Sequence, residues 1–203
     1  MALSFIGFDA CLMGSLEVAC AVSPYAEYMI ASQETEPASG WPYGFLPGLV
    51  DDETGADTGR RLCDMYMASD VLPGEMLTLS CLDLGKAEAA AAALGEYFSS
   101  YTEGWNESLF TRTSALRAAS VGYGEGLKGM GDGGYDLVDL GDFTAYLETA
   151  GLGGDELYAA LDELVVYSRS SGDVGQGLSL YHPMFNKAQY QAAWREEYRQ
   201  LGF

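Results

Sequence analysis

Leu3-Ser4-Phe5-Ile6-Gly7-Phe8-Asp9-Ala10-Cys11-Leu12-Met13-Gly14 is the stretch that decides how this chain is read. An apolar run of strand length ends in an acid, a small residue and a cysteine. A helical pattern follows at once, predicted over Leu12–Val22, with Leu12, Leu16, Ala19 and Cys20 on one stripe. In α/β sheets the C-terminal end of a strand is where ligands and reacting groups collect. A thiol placed there, at the start of the next helix, meets the helix dipole and free backbone N–H groups, which favour thiolate. That is the position of a nucleophile. The competing reading is a buried thiol, since free cysteine is among the most buried residue types.

Working outward, Ser23-Pro24 closes the first helix, because proline disfavours helix in the residue before it. Glu27–Ser32 reads as a second buried strand, so strand, helix and strand form a βαβ unit with parallel neighbours and a right-handed crossover. The polar loop Gln33–Gly40, followed by Trp41-Pro42-Tyr43, leaves the C-terminal end of that strand and therefore lies beside Cys11. Further on, helices are predicted over Asp57–Ser69, Lys86–Tyr101, Trp105–Ala119, Asp136–Thr149, Asp155–Ser168 and Lys187–Leu201, with strands over Met76–Leu84 and Leu178–His182. Alternating strands and helices over 203 residues predict an α/β fold, a sheet with helices on both faces, in one unit spanning 1–203. The seven glycines between Gly122 and Gly134 lack the GxxxxGK[ST] pattern of a phosphate loop, which argues against nucleotide binding.

The charge balance narrows the partners. With 30 acidic against 10 basic residues the net charge is −20, the opposite of what a nucleic-acid surface or an anionic membrane attracts. Cationic peptides and Ca²⁺ suit it better, and solubility alone is the plainer reading. No apolar run approaches the roughly 20 residues a bilayer span needs, and no basic segment precedes Leu3 as in a signal peptide. Cys20, Cys63 and Cys81 lie in helical or strand patterns without metal-ligand spacing and read as small core residues.

Phe8-Asp9-Ala10-Cys11-Leu12-Met13 followed by Glu17-Val18-Ala19 resembles the nucleophile segment of the clostripain-like cysteine peptidases, in the caspase–gingipain group of folds. The resemblance continues through Tyr25–Glu34, Glu36-Pro37 and Gly40-Trp41-Pro42-Tyr43, and returns at Leu77–Ser80, Asp83-Leu84, Tyr135–Leu140 and Gly177–Tyr181. It implies a caspase-like sheet and an endopeptidase that cleaves after arginine or lysine through a Cys–His pair, with Cys11 as nucleophile. The resemblance places that histidine after an earlier strand. Only ten residues precede Cys11 and none is histidine, so the chain is expected to be a partial catalytic domain lacking its N-terminal strands. The sole histidine, His182 in Leu180-Tyr181-His182-Pro183, matches the late strand of the pattern and is expected to be structural.

The same resemblance implies site roles, each with a plainer alternative. Strand alternation puts Asp9 on the side of Cys11, where an idle carboxylate would raise the thiol pKa. The resemblance gives it the pocket for a basic P1 side chain; the alternative is a strand-end acid bonded to nearby N–H groups. Glu34 and Glu36 are candidates for a second pocket acid. Where some relatives carry an acid before the loop glycine, this chain has Ser39 before Gly40. Trp41 and Tyr43 are read either as a pocket wall or as packing under the loop. The backbone N–H of Cys11 is the expected oxyanion donor, a contribution typically worth ~3 kcal/mol of barrier. Ca²⁺ dependence is implied by resemblance alone, with Asp51-Asp52-Glu53 the only candidate and a solvated turn its alternative; no other cofactor is expected. The expected partners are peptides or proteins with basic residues and the missing N-terminal part of the domain, in an extracellular or cell-surface bacterial setting. The alternative function is a non-catalytic caspase-like module that binds basic peptides or a partner chain.

Overall fold

The computed structural model describes residues 2–49, 53–69, 76–124, 135–172 and 175–184, with positions 188, 191, 195 and 196. The elements are β1 (Leu3–Phe8), α1 (Leu16–Val22), β2 (Ala26–Ala31), α2 (Gly55–Met67), β3 (Thr78–Asp83), α3 (Ala87–Glu103), α4 (Glu107–Ala119), β4 (Gly122–Tyr123), β5 (Leu137–Asp139), α5 (Leu140–Thr149), α6 (Asp155–Leu164), β6 (Val165–Ser170) and β7 (Ser179–Tyr181). The main sheet runs β1-β2-β3-β6 and a smaller one runs β4-β5-β7. As the βαβ reading requires, β1 is parallel to β2, in the register Leu3↔Ala26 to Phe8↔Ala31. β3 lies antiparallel to β2 and to β6. Among the described residues the outer edge of β1 is unpaired.

Period-two alternation sorts the central strands onto two cores. Ile30, Leu79 and Cys81 face Leu62, Cys63 and Tyr66 of α2, together with Trp41 and Phe45. Met29, Ala31 and Leu82 face the other way, onto α1, α3, α5 and α6. Helices therefore cover both faces. Ser15, Thr54, Asn106 and Asp139 cap α1, α2, α4 and α5, each side chain accepting an N–H of the first turn. In α3, small Ala87 and Ala90 are fully buried, which lets the helix approach its neighbours closely.

Three predicted boundaries move by four residues, the other described ones by two at most. The first helix begins at Leu16, not Leu12. The segment predicted as helix from Asp136 opens with β5, whose last residue, Asp139, then caps α5. The helix predicted to Ser168 stops at Leu164, because Val165-Val166-Tyr167 (β-branched and aromatic) pair with the open edge of β3. The acids Asp51-Asp52, the glycines from 126 to 134 and nearly all of the closing helix predicted over Lys187–Leu201 lie outside the described residues. Among those described, no helix is long and apolar enough to cross a membrane.

Candidate active site

β1 ends at Phe8, so Asp9, Ala10 and Cys11 stand in an exposed turn beyond it. Leu12 follows with φ +65°, an uncommon conformation for a branched side chain. Its N–H donates to the Glu34 carbonyl at 3.1 Å, and the Gly14 N–H donates to the Ser32 carbonyl at 2.7 Å. Residues 12–15 thus run beside the exit of β2 before Ser15 caps α1. The expectation that Cys11 sits at a helix N-terminus is corrected: four residues separate it from α1, beyond the first turn in which a helix dipole acts.

The β2 exit loop takes over the role given to the helix. The Glu36 N–H donates to Cys11 Sγ at 3.2 Å, and the thiol lies 3.9 Å from the Glu36 carbonyl. The loop thus supplies to the sulfur a backbone donor of the kind expected from a helix terminus. No hydrogen bond to a described residue occupies the Cys11 N–H, which stays available to a developing oxyanion. The loop itself is pinned from below. Thr78 Oγ1 accepts the N–H groups of Gln33 (3.1 Å) and Glu34 (3.0 Å) and bonds the Ser32 hydroxyl at 2.9 Å. Gln33 Nε2 donates to Ser80 Oγ at 3.0 Å and the Gly177 carbonyl at 2.9 Å.

The loop sends its two glutamates in opposite directions. Glu34 is buried, its carboxylate accepting the N–H groups of Thr35 (2.7 Å) and Gly124 (3.1 Å), which ties the loop to the second sheet. Glu36 turns toward Asp9. Its Oε1 accepts the Trp41 indole N–H at 2.9 Å, while its Oε2 is buried with no donor in reach. Asp9 Oδ2 accepts the Trp41 backbone N–H at 3.2 Å and the Tyr43 O–H at 2.6 Å. Burial pushes the Glu36 carboxyl up to about 8, the Trp41 bond opposes this, and the neighbouring Asp9 adds to the rise by its closeness and its charge. The Tyr43 phenol is also raised, first by its bond to Asp9.

Trp41 is buried under the loop, and both of its N–H groups serve the acids, so it packs and lines at once. Its ring lies where a Cβ on Gly7 would come within 2.9 Å. Gly40 holds φ +66°, and a Cβ there would meet Asp9 Oδ2 at 2.7 Å, so the close approach of loop to acid needs glycine. Ser39 is exposed on the turn before it and makes no hydrogen bond to a described residue.

The remaining candidates lie apart from this cluster. Cys63 and Cys81 are fully buried and Cys20 is half-buried; all are free thiols. Burial raises Cys20 to about 11, Cys81 to about 12 and Cys63 further still. His182 packs against the rings of Phe98 and Phe143, at centroid distances of 6.0 and 5.6 Å. Among the described residues no group of three or more His, Cys, Asp or Glu is arranged to hold a metal ion. Thr78 and Gly124 fix the loop: Thr78 lies in the Leu77–Ser80 block of the resemblance and Gly124 among the clustered glycines, but neither signal pointed to this loop, because both stand far along the chain from it.

Against known proteins, the model of the clostripain family matches residues 1–203. Among solved structures, a clostripain from Bacteroides thetaiotaomicron in complex with a peptide inhibitor superposes with a TM-score of 0.66 at 18% identity, over 97% of this chain and 87% of that one. A secreted cysteine protease from the same species gives 0.68 at 20% identity, over 97% of this chain and 55% of that one. An inactive zymogen protease from Parabacteroides distasonis gives 0.63 at 22%, over 97% and 58%. Among proteins curated for function, none matches significantly. At these identities the structures establish the shared fold, and the match along the full chain establishes the lineage. The chain belongs to the clostripain family of cysteine proteases.

Proposed function

We propose that this chain is the nucleophile-bearing part of a cysteine endopeptidase that cleaves after arginine or lysine. The observation that carries this reading is the meeting of two acids, Asp9 of the turn after β1 and Glu36 of the β2 exit loop, around Trp41 and beside the Cys11 thiol. The Bacteroides thetaiotaomicron clostripain is bound to an inhibitor whose peptide, VLTK, ends in lysine, which accords with it.

In the proposed reaction a general base takes the Cys11 proton and the thiolate attacks the scissile carbonyl, forming a C–S bond and a tetrahedral oxyanion. The Cys11 N–H faces that oxyanion. Collapse expels the amine, which receives the proton, and leaves a thioester that water hydrolyses, regenerating the thiol. Asp9 takes the P1 cation, with Trp41 and Tyr43 as walls. The base is a histidine from sequence outside this chain, and the open edge of β1 is where additional strands would join. The action is outside the cell, in keeping with the secreted neighbour.

Turnover of matched fluorogenic peptides with Arg, Lys, Gln and Leu at P1 tests the proposal. The chain alone should be inactive. Joined to the segment that supplies the base, it should cleave Arg and Lys peptides, and Cys11→Ala should abolish the activity. Asp9→Asn should lower kcat/KM for Arg and Lys about tenfold to a hundredfold more than for Gln and Leu, the worth of a charge-assisted bond. An equal loss across the four peptides would remove Asp9 from recognition. Binding of basic peptides without any cleavage would identify a non-catalytic module instead.

A further inference from the structure

Two carboxyl groups that approach each other attract only when a proton or a cation lies between them; both ionised, they repel. Asp9 and Glu36 stand in that relation. Trp41 ties the two acids together, its backbone N–H on Asp9 Oδ2 and its indole N–H on Glu36 Oε1, and Asp9 raises the Glu36 carboxyl by its closeness and its charge. Glu36 Oε2 is nevertheless buried with no N–H or O–H donor. The donors present are committed elsewhere: Trp41 N–H and Tyr43 O–H to Asp9 Oδ2, and the Trp41 indole to Glu36 Oε1. The titratable groups facing Glu36 are Asp9, the Cys11 thiol on its own N–H, and Tyr43 beyond Asp9. Among the described residues no lysine, arginine or histidine pairs with either acid.

We infer that Glu36 is a proton-exchanging specificity residue: without substrate the Glu36–Asp9 pair holds one proton, and a cationic P1 side chain expels that proton to solvent and takes its place between the carboxylates. The inference rests on the basic-P1 reading and adds its thermodynamic linkage. The charge balance is simple. The pair goes from −1 to −2 as a +1 side chain enters, so the net charge at the site is −1 in both states, and only a cation can drive the exchange. A neutral isostere leaves the proton where it is. Because Glu36 gives up its proton only near pH 8, the proton is in place at pH 7. Recognition of arginine or lysine is then coupled to pH through the pocket, separately from any titration of the thiol.

The test uses the Cys11→Ser protein, joined to the segment that completes it. Serine keeps an acceptor for the Glu36 N–H and removes both turnover by the thiol and its titration. Calorimetric titration with a peptide carrying arginine at P1, at pH 7 in phosphate and in Tris, counts protons from the difference in buffer ionisation heats. Close to one proton should be released per peptide bound, and none with citrulline in place of arginine. Affinity for the arginine peptide should rise nearly tenfold per pH unit between about pH 6 and 7.5, the slope for one linked proton. With Glu36→Gln in the same background both effects should vanish; the proton count stands by itself should that variant misfold. Preference for arginine over citrulline without proton release or pH slope would overturn this inference and leave the basic-P1 reading standing. No preference at any pH would overturn that reading, and the inference with it.

Discussion

Cys11 is the most exposed of the four thiols, and the Glu36 N–H donates to its sulfur. Burial holds Cys20 and Cys81 near 11 and 12 and Cys63 higher, so at pH 8 they are almost wholly protonated. A limiting dose of iodoacetamide at that pH should therefore label Cys11 ahead of the other three, as peptide mapping would show; earlier labelling of any other cysteine would sink its assignment as the reactive thiol. Glu36 makes a second prediction, on stability. Its carboxyl is raised in the folded chain from the ordinary 4.5 to about 8, so the folded state holds a proton that the unfolded state has lost between those values. The linkage therefore contributes nothing below about pH 4.5, destabilises progressively as pH rises toward 8, and is constant above. Glu36→Gln should gain in Tm relative to wild type from pH 5 to pH 8, by about 2–4 °C for the ~1 kcal/mol that remains after solvent screening. A constant difference across that range would mean that Glu36 titrates normally. At this scale the proximity was legible: that Asp9, Cys11 and the loop after β2 lie together follows from residue type and position. Which glutamate turns to Asp9 was not, because an irregular loop has no period from which to read facing.

The β2 exit loop is the element that makes the site, and Thr78 on β3 is what holds it. Replacing Thr78 by Val keeps the shape and strips the Gln33 N–H of its acceptor, while the Glu34 N–H keeps Ser32 Oγ at 3.2 Å and the Ser32 hydroxyl keeps the Glu34 carbonyl at 3.0 Å. With one buried donor left unmatched, the expected loss is about 1–3 kcal/mol in chemical denaturation, and slower alkylation of Cys11 should accompany it as the Glu36 N–H drifts. Unchanged stability would mean that water replaces the hydroxyl and that the loop holds itself. The late start of α1 has the same origin. The amides of Leu12 and Gly14, which the helical pattern would place in the first turn, bond the β2 exit instead. Periodicity reported the apolar stripe correctly and could not report this competition. At Val165–Ser170 helical spacing likewise ran on into a segment that the bare edge of β3 claims as strand.

In the whole molecule, α2 covers one face of the main sheet and α1, α3, α5 and α6 the other, leaving β1 as an edge. Leu3 at its start is 59% exposed, while Leu79, Cys81 and Leu82 on β3 are fully buried. Hydrogen exchange by mass spectrometry should therefore show Leu3–Phe8 exchanging fastest of the four main-sheet strands and Thr78–Asp83 slowest. Equal protection of the two would mean that something covers the β1 edge in solution. The sequence by itself determined the alternation of strands and helices, the parallel start, and the acid–cysteine turn at a strand end, because each rests on local period and on the chemistry of adjacent residues. Tertiary structure alone decided that a loop and not a helix presents a donor to the thiol. It also decided that Glu36 meets Asp9 while Glu34 reaches Gly124, 90 residues on. Those outcomes depend on which distant backbone groups win each buried hydrogen bond, and that competition is settled only when the sheets and helices have packed.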